Sequence, residues 1–434
     1  MNAVNTVQIS DTQGWQKRFF TIWGGQAFSL LGSQLVGFAL VWHMTMVTGS
    51  AKVLAVAAMM EWLPRVFVGP FAGALVDRWN RRFVMLAADS LTALATGGII
   101  YLGWAGSLEI WHIYILMMLR SIGNSFHFPA MLASTSLIVP EAQLSRAQGL
   151  NQLLQGVMNI AAPPLGALLV EVLPLHGVLA VDIGTAALAI TPLLFVHIPQ
   201  PEKVSATEPG KASVWSDMRE GLQYVWAWSG LRKVIFLAIL INAISMPAFT
   251  LLPLLVKAEF SGGAMQIATV QSSWAAGFLV GGLLLATWGG FRSKMLTAIL
   301  AMFGSGAGML LVGIAPQSAM LLVVSGMLIA GLMNVLINGP AMALLQSIVQ
   351  ADMQGRVMSL LVSLANAMTP LGLAFAGPLA EFTGVRSWFI LTSLTFAFAG
   401  LFSLANADVR FIENGKRIDT LGHDAQAITA AKAS

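Results

Sequence analysis

The sequence predicts an all-α polytopic membrane protein of twelve transmembrane helices arranged as two six-helix repeats. Three observations predict it. Of 434 residues, 57% are hydrophobic and only 10% charged, against about 45–50% and 25% in an ordinary soluble domain. Apolar stretches long enough to cross a bilayer, about 20 residues each, follow one another along the chain. The chain also repeats itself at a spacing of about 210 residues.

Hydropathy and helix breakers place the spans at 19–44, 52–76, 83–104, 110–138, 147–172, 177–197, 231–256, 265–289, 295–314, 319–347, 357–381 and 386–405. The first 18 residues are polar and end in Lys17-Arg18, with no small-residue cleavage site after them. The first span is therefore expected to be retained rather than removed as a signal peptide. Putting both termini inside places most of the 23 Lys+Arg on the cytoplasmic side and leaves Lys52, Lys257 and Arg386 at the outer edge, the asymmetry that short inner loops carry. The expected organisation is a cytoplasmic segment 1–18, a six-helix bundle 19–197, a linker 198–230, a second bundle 231–405 and a cytoplasmic tail 406–434.

Pro199, Pro201, Pro209 and Gly210 mark the linker. Beyond them Trp215, Met218, Leu222 and Val225 recur at helical spacing, which fits an amphipathic helix on the inner leaflet or a solvated surface helix.

The repeat is read from residues. Trp62, Gly69 and Arg82 recur 212 positions later as Trp274, Gly281 and Lys294. Asn124 recurs as Asn334, Pro129-Ala130-Met131 as Pro340-Ala341-Met342, and Val139 and Arg146 as Val349 and Arg356. Pro164-Leu165-Gly166 recurs as Pro370-Leu371-Gly372 after a slip of about one helical turn. Two parallel six-helix repeats enclosing a midplane substrate site are a transporter architecture.

Between the second and third spans the chain reads Gly73-Ala74-Leu75-Val76-Asp77-Arg78-Trp79-Asn80-Arg81-Arg82. This resembles the GxLxDRxGRR signature of the major facilitator superfamily. Gly73 completes a GxxxG pair with Gly69 that would admit a close helix neighbour. Asp77 can cap a helix end or pair with basic neighbours, and Arg78, Arg81 and Arg82 are expected to anchor the loop at the inner leaflet. Asn80 stands where the family has glycine and is expected to keep the turn through its tolerance of left-handed backbone. The resemblance implies a conformational-switch role for Gly73, Asp77, Arg78 and Arg82, with Asp89 supporting the loop.

Three further phrases, Ile22-Trp23-Gly24-Gly25-Gln26-Ala27, Arg120-Ser121-Ile122-Gly123 with Phe126-His127-Phe128-Pro129-Ala130, and Val139-Pro140-Glu141-Ala142-Gln143-Leu144, resemble the macrolide-efflux branch of the drug:proton antiporters. The enterobactin exporters are a related branch. Ala162-Pro163-Pro164-Leu165-Gly166-Ala167 is similar to the antiporter GPxxGG pattern, with alanine at two glycine positions.

An ionisable residue inside a span costs about 2.5–3.5 kcal/mol or more, so each is a functional candidate. Glu61 and Arg65 lie at i and i+4 in the second span; they form either a proton-controlled switch or a permanent structural pair. The fourth span carries Arg120, Asn124, His127 and Met131 along one face, where its repeat partner has Asn334 and Asn338 but Ala330 in place of the arginine. Arg120 is always charged and needs an anion, Glu61 or Asp182. The resemblance implies proton coupling for an arginine on this span; helix packing is the other reading. His127 titrates near neutral pH when unperturbed, yet also suits a hydrogen-bonded core position. The proton-coupling candidates are thus Glu61, Arg65, Arg120, His127 and Asp182.

The resemblance also implies a central cavity lined by the first, fourth, seventh and tenth spans. Its candidates are Gln26, Ser33, Asn124, Asn242, Met246, Phe249, Asn334 and Asn338, with Met60 and Trp62 from the second span. Such a surface is apolar and adaptable, although each Met or Phe also suits plain core packing. Its sparse polar groups argue against a sugar or phosphate-ester substrate and favour a neutral or cationic amphiphile.

Other classes are excluded on specific grounds. No cysteine is present, so no disulfide framework or thiol nucleophile is available. The chain lacks an HExxH metal motif and a GxxxxGK[ST] phosphate loop, and its basic clusters are too short for nucleic acid. The expected function is proton-driven export of hydrophobic or amphiphilic, macrolide-like drugs across a bacterial cytoplasmic membrane. The expected protein is a monomer without cofactor, powered by the proton-motive force, with lipid, protons and a small amphiphilic substrate as its partners. A siderophore or lipid exporter and a transport-dead receptor on the same scaffold remain as alternatives.

Overall fold

The computed structural model describes residues 14–76, 78–196, 198 and 214–413. Its helices are α1 (Trp15–Thr48), α2 (Ala51–Val76), α3 (Arg81–Trp104), α4 (Ile110–Ile138), α5 (Leu144–Val172), α6 (Leu175–Phe195), α7 (Val214–Ala227), α8 (Ser229–Phe260), α9 (Ala264–Trp288), α10 (Lys294–Ile314), α11 (Met320–Ile348), α12 (Ala351–Thr383), α13 (Val385–Ala405) and the short α14 (Ala407–Arg410). Each expected span overlaps one of them, and several run further than hydropathy suggests. α1 includes Lys17 and Arg18 because charge does not end a helix; it is bounded instead by Gly14 at φ 106° and Gly49 at φ 59°, left-handed positions that glycine adopts freely.

Among the described residues, ten helices are long and apolar enough to cross a membrane. α2 and α4 are not among them. α2 carries Lys52, Glu61 and Arg65, and α4 carries Arg120, Asn124 and His127, the groups that mark these two helices as chemically special.

The described chain forms two compact units, Met1–Thr207 with Val256–Ser272, and Glu208–Leu255 with Ser273–Ser434. In the first, α1 packs on α6 at two glycines. A Cβ at Gly25 would lie 2.8 Å from the Leu188 carbonyl oxygen, and one at Gly32 would lie 2.0 Å from Thr185 Oγ1. Gly123 brings α4 against Ala88 and Thr92 of α3 in the same way. Gly69 and Gly73, expected to play this part, would have nothing within 4 Å of an added Cβ. The sequence pattern locates small residues but not which of them meets a neighbour.

Asn80 also departs from expectation. Its φ is −67°, and it works as the N-cap of α3, its side chain accepting from the backbone of Arg82 and Phe83. That contact satisfies donors a helix start leaves open and is worth about 1 kcal/mol.

In the second unit α9 and α11 meet backbone to backbone. A Cβ at Gly277 would lie 2.0 Å from the Leu328 carbonyl oxygen, and one at Gly331 would lie 2.0 Å from that of Trp274. One side of α7 is held by the rest of its unit. Val225 is buried in a cluster with Leu231, Ile235, Leu345 and Val357, Gly221 packs on the Arg356 backbone, and Glu220 pairs with Arg356 at 3.0 Å. The protein-facing stripe is Gly221, Tyr224 and Val225, while Leu222 remains exposed. Beyond α13, Lys233 of α8 reaches Asp408 Oδ2 at 2.6 Å and Asn406 Oδ1 at 3.0 Å, and Ser229 also donates to Asp408. The Lys233 ammonium and the Ser229 hydroxyl hold the exposed Asp408 carboxyl below its ordinary range.

Candidate functional site

The polar core of the first unit is built on the face of α4 that carries Arg120 and His127. Arg120 lies at the join of four helices. Its Nη1 donates to Asp182 Oδ2 of α6 at 2.5 Å and to Thr96 Oγ1 of α3 at 3.4 Å, and its Nη2 donates to the Ser33 carbonyl of α1 at 3.2 Å. Thr96 completes the set by donating to the same Asp182 oxygen at 3.3 Å. The Arg120 and Asp182 side chains keep 13% and 4% exposure, so the pair is largely out of solvent. A buried pair is tolerated only when its remaining hydrogen-bonding capacity is met, which Thr96 and the Ser33 carbonyl do. Of the two anions the sequence offered Arg120, the fold selects Asp182.

About two helical turns further along α4, roughly 10 Å, lies a second cluster. His127 Nε2 is 3.4 Å from Asp89 Oδ1, a contact that becomes an ion pair when the imidazole is protonated. Gln26 of α1 donates to the other carboxylate oxygen of Asp89 at 3.4 Å. Asp89, expected to support the α2–α3 loop from the third span, is buried on α3 between α1 and α4, and Gln26, expected to line an open surface, is buried against it instead.

Glu61 and Arg65 form the expected i, i+4 pair at 2.7 Å, with side chains 42% and 38% exposed. Arg65 also lies 5.4 Å over the Trp62 ring, a cation–π contact. Ser121 donates to the Glu61 carbonyl and ties α2 to α4. Thr96 and Ser121 were missed by sequence reasoning. A hydroxyl on an apolar helix usually bonds its own backbone, so nothing in the pattern distinguishes these two.

The loop residues divide. Arg82 donates to the carbonyls of Leu193 and Leu194 and so caps the end of α6, where a cation complements the helix dipole. Arg81 is buried and donates to the Ala133 carbonyl of α4. Of the cations expected to anchor the loop at the leaflet, these two bind helix backbones instead, and Arg78 is exposed. Asp77 lies outside the described residues.

The expected cavity residues fall in both units. In the first, Asn124 is exposed and Ser33, Met60 and Trp62 are half-buried. In the second, Asn242 donates to the Ala238 carbonyl of its own helix at 2.9 Å, and Asn338 donates to Asn334. Met246 and Phe249 are half-buried, Phe249 meeting Trp274 edge-on at 5.5 Å.

Apolar helices of bilayer length that enclose a hydrogen-bonded set of charges are those of a multi-pass membrane protein. Residues 22–373 match the family model described as Major Facilitator Superfamily, and the chain belongs to the major facilitator superfamily. It is 34% identical over 379 residues to Macrolide efflux protein A of Streptococcus pyogenes, covering 87% of this chain and 93% of that protein. It is 33% identical over 326 residues to Macrolide efflux protein A of Enterococcus faecalis, covering 75% of this chain and all of that protein. Multidrug efflux pump Tap of Mycobacterium bovis is 25% identical over 409 residues, 89% of this chain and 92% of the pump. Among solved structures, the nucleoside transporter NupG superposes with a TM-score of 0.69 at 14% identity, over 90% of this chain and 99% of that one. A bacterial homologue of the iron transporter ferroportin gives 0.66 at 13% identity, over 89% and 99%. At such identities these structures speak to the fold alone.

Proposed function

We propose that the chain exports hydrophobic or amphiphilic drugs, macrolides first, from a bacterial cell in exchange for protons. In this reading all twelve long helices cross the cytoplasmic membrane with both termini inside, and the two six-helix halves alternate access to the substrate. The observation that carries the reading is the hydrogen-bonded charge of the first unit, Arg120 with Asp182 and Glu61 with Arg65, on helices that membrane insertion would otherwise keep apolar. The cargo class is supported by the names of the relatives at 33–34% identity.

Glu61 is the proton carrier in this scheme, because it is the more exposed carboxylate of the two pairs. Protonation releases Arg65, and substrate occupancy and proton loading bias the same two-state equilibrium. The loop residues Gly73, Asp77, Arg78 and Arg82 act in the switch. The chain works as a monomer, without a cofactor, on the proton-motive force.

The test is accumulation of labelled erythromycin in cells expressing the chain, with and without a protonophore. Accumulation lower than in control cells, restored by the protonophore, is expected. Glu61→Gln should abolish export while leaving erythromycin binding to the purified protein intact. Export by Glu61→Gln with unaltered pH dependence would remove Glu61 from the scheme, and control-level accumulation by the wild type would remove macrolide export.

A further inference from the structure

The cytoplasm-proximal half of α5 carries five carboxamides, Gln148, Asn151, Gln152, Gln155 and Asn159. At 3.6 residues per turn they fall within an arc of about 100° and extend for roughly 16 Å along the helix at 1.5 Å per residue. Gln148, Gln152 and Asn159 are exposed. Their hydrogen bonding is incomplete: Gln155 donates to Asn159 Oδ1 at 3.3 Å, and Asn151 Oδ1 accepts from the Trp23 indole at 2.9 Å. Asn151 Nδ2 is buried with no hydrogen-bond partner among the described residues.

The same helix exposes a second, opposite face made of Leu153 at 65% and Val157 at 49%. Only one of the two faces suits lipid. A carboxamide left unsatisfied in hydrocarbon costs several kcal/mol, so Leu153 and Val157 belong to the lipid side and the carboxamide face to water or a polar ligand. The scaffold does not require the carboxamides. In the second repeat the positions matching Asn151, Gln152 and Gln155 are Leu361, Val362 and Ala365 in the register of Arg146 and Arg356, or Val357, Met358 and Leu361 in that of Pro164 and Pro370. With Gln148 and Asn159 matching Met358 and Thr369 in the first register, or Gln354 and Ala365 in the second, either register replaces four of the five carboxamides by apolar side chains.

We propose that the carboxamide face of α5 is a hydrogen-bonding recognition surface for an uncharged, hydroxyl- and carbonyl-bearing part of the exported molecule. Each carboxamide offers a donor and an acceptor without charge. The set therefore matches alternating hydroxyl, ester and ketone groups better than an ammonium or a phosphate. On this proposal α5 adds polar groups to a lining that the sequence leads one to expect sparse. The inference deepens the drug-export reading and rests on it for the identity of the ligand, not for the water-facing character of α5.

The natural chain has no cysteine, so single cysteines can be placed without background. Gln152→Cys, Asn159→Cys, Leu153→Cys and Val157→Cys are made in the full chain, reconstituted in nanodiscs and treated with a charged, membrane-impermeant methanethiosulfonate, with and without erythromycin. Residues 152 and 159 should label at least tenfold faster than 153 and 157, and erythromycin should slow their labelling severalfold. Tetraphenylphosphonium, which has no hydrogen-bonding group, should give less protection than erythromycin.

Equal labelling of both faces, or none at 152 and 159, overturns the water-facing assignment. Fast labelling at 152 and 159 without protection, in a protein that binds erythromycin, overturns the recognition role. If the wild type neither binds nor exports erythromycin, the macrolide reading fails. A neutral polyhydroxylated detergent headgroup, maltose on dodecyl maltoside, then serves as the protecting probe, and its failure to protect overturns the recognition surface as well. Gln155→Leu, which creates no reactive group, gives a second measure: its affinity for erythromycin should fall about five- to tenfold with tetraphenylphosphonium affinity unchanged, and an equal loss for both would indicate a general packing defect that refutes the assignment.

Discussion

Removing the anion beside Arg120 has a calculable consequence. In Asp182→Asn the guanidinium keeps its bonds to Thr96 and the Ser33 carbonyl but loses its countercharge in a site only 13% exposed. Breaking one side of a buried pair costs about 3–5 kcal/mol, whereas replacing both partners by apolar groups of similar volume is often neutral or stabilising. The double variant Asp182→Leu with Arg120→Met, which makes both partners apolar, should therefore recover most of what Asp182→Asn loses. For a cooperative unit of roughly 200 residues, 1 kcal/mol moves the melting temperature by about 2–4 °C. Asp182→Asn is thus expected to melt on the order of 10 °C below the wild type, and the double variant within a few degrees of it. The assay is thermal unfolding of the detergent-solubilised protein by tryptophan fluorescence. The double variant is expected to fold and yet fail to export erythromycin. If Asp182→Asn melts with the wild type, or the double variant melts lower still, the pair is not a coupled buried charge and the reasoning fails.

Two further outcomes follow from packing and from charge. Gly331→Ala puts a Cβ 2.0 Å from the Trp274 carbonyl oxygen, backbone that cannot rotate away, so a loss of about 1–3 kcal/mol is expected; Gly73→Ala, with nothing within 4 Å, should melt no lower than the wild type, and equal melting of the two variants would refute the contact. Because the folded Asp408 carboxyl is held below its ordinary 3.8, its contribution is present above that value and is lost as pH falls from about 5 through 3.8 toward the lowered value; Asp408→Asn should flatten the acid limb of melting temperature against pH, and an unchanged limb would show that Lys233 does not depend on this partner.

The fold was legible because membrane insertion writes it in composition: apolar runs and glycine or proline breaks mark helices without tertiary knowledge. The Arg120–Asp182 pair was legible for a related reason, since a permanent cation needs an anion and the chain offered two. What the sequence could not show is rotation. Asp89 sits early in α3 and could have turned toward the loop or into the bundle, where it meets Gln26 and His127; nor does any local pattern separate Gly25 and Gly32, which meet α6, from Gly69 and Gly73, which meet nothing within 4 Å. The linker helix shows the same limit. Leu222 and Val225 both fit one apolar stripe, yet only Val225 is covered by the rest of its unit.

The repeat adds a constraint on where proton chemistry can reside. Glu61 corresponds to Ser273, Arg65 to Gly277, Arg120 to Ala330 and His127 to Ile337. These replacements follow a pattern. Where Ser121 of α4 donates to the Glu61 carbonyl of α2, its counterpart Gly331 brings α11 into direct contact with the Trp274 backbone of α9, and the Arg65 counterpart Gly277 does the same against Leu328. The second repeat has exchanged charged side chains for bare backbone and gained close packing, which a glycine permits and an arginine forbids. The first repeat has kept side chains that hold a charge and has given up that closeness. If protons drive this transporter through Glu61 or His127, the step belongs to the first repeat, because Ser273 and Ile337 at the matching positions cannot titrate in its place. Restoring an arginine in the second, as in Gly277→Arg, should only disrupt packing, without creating a second proton-linked step.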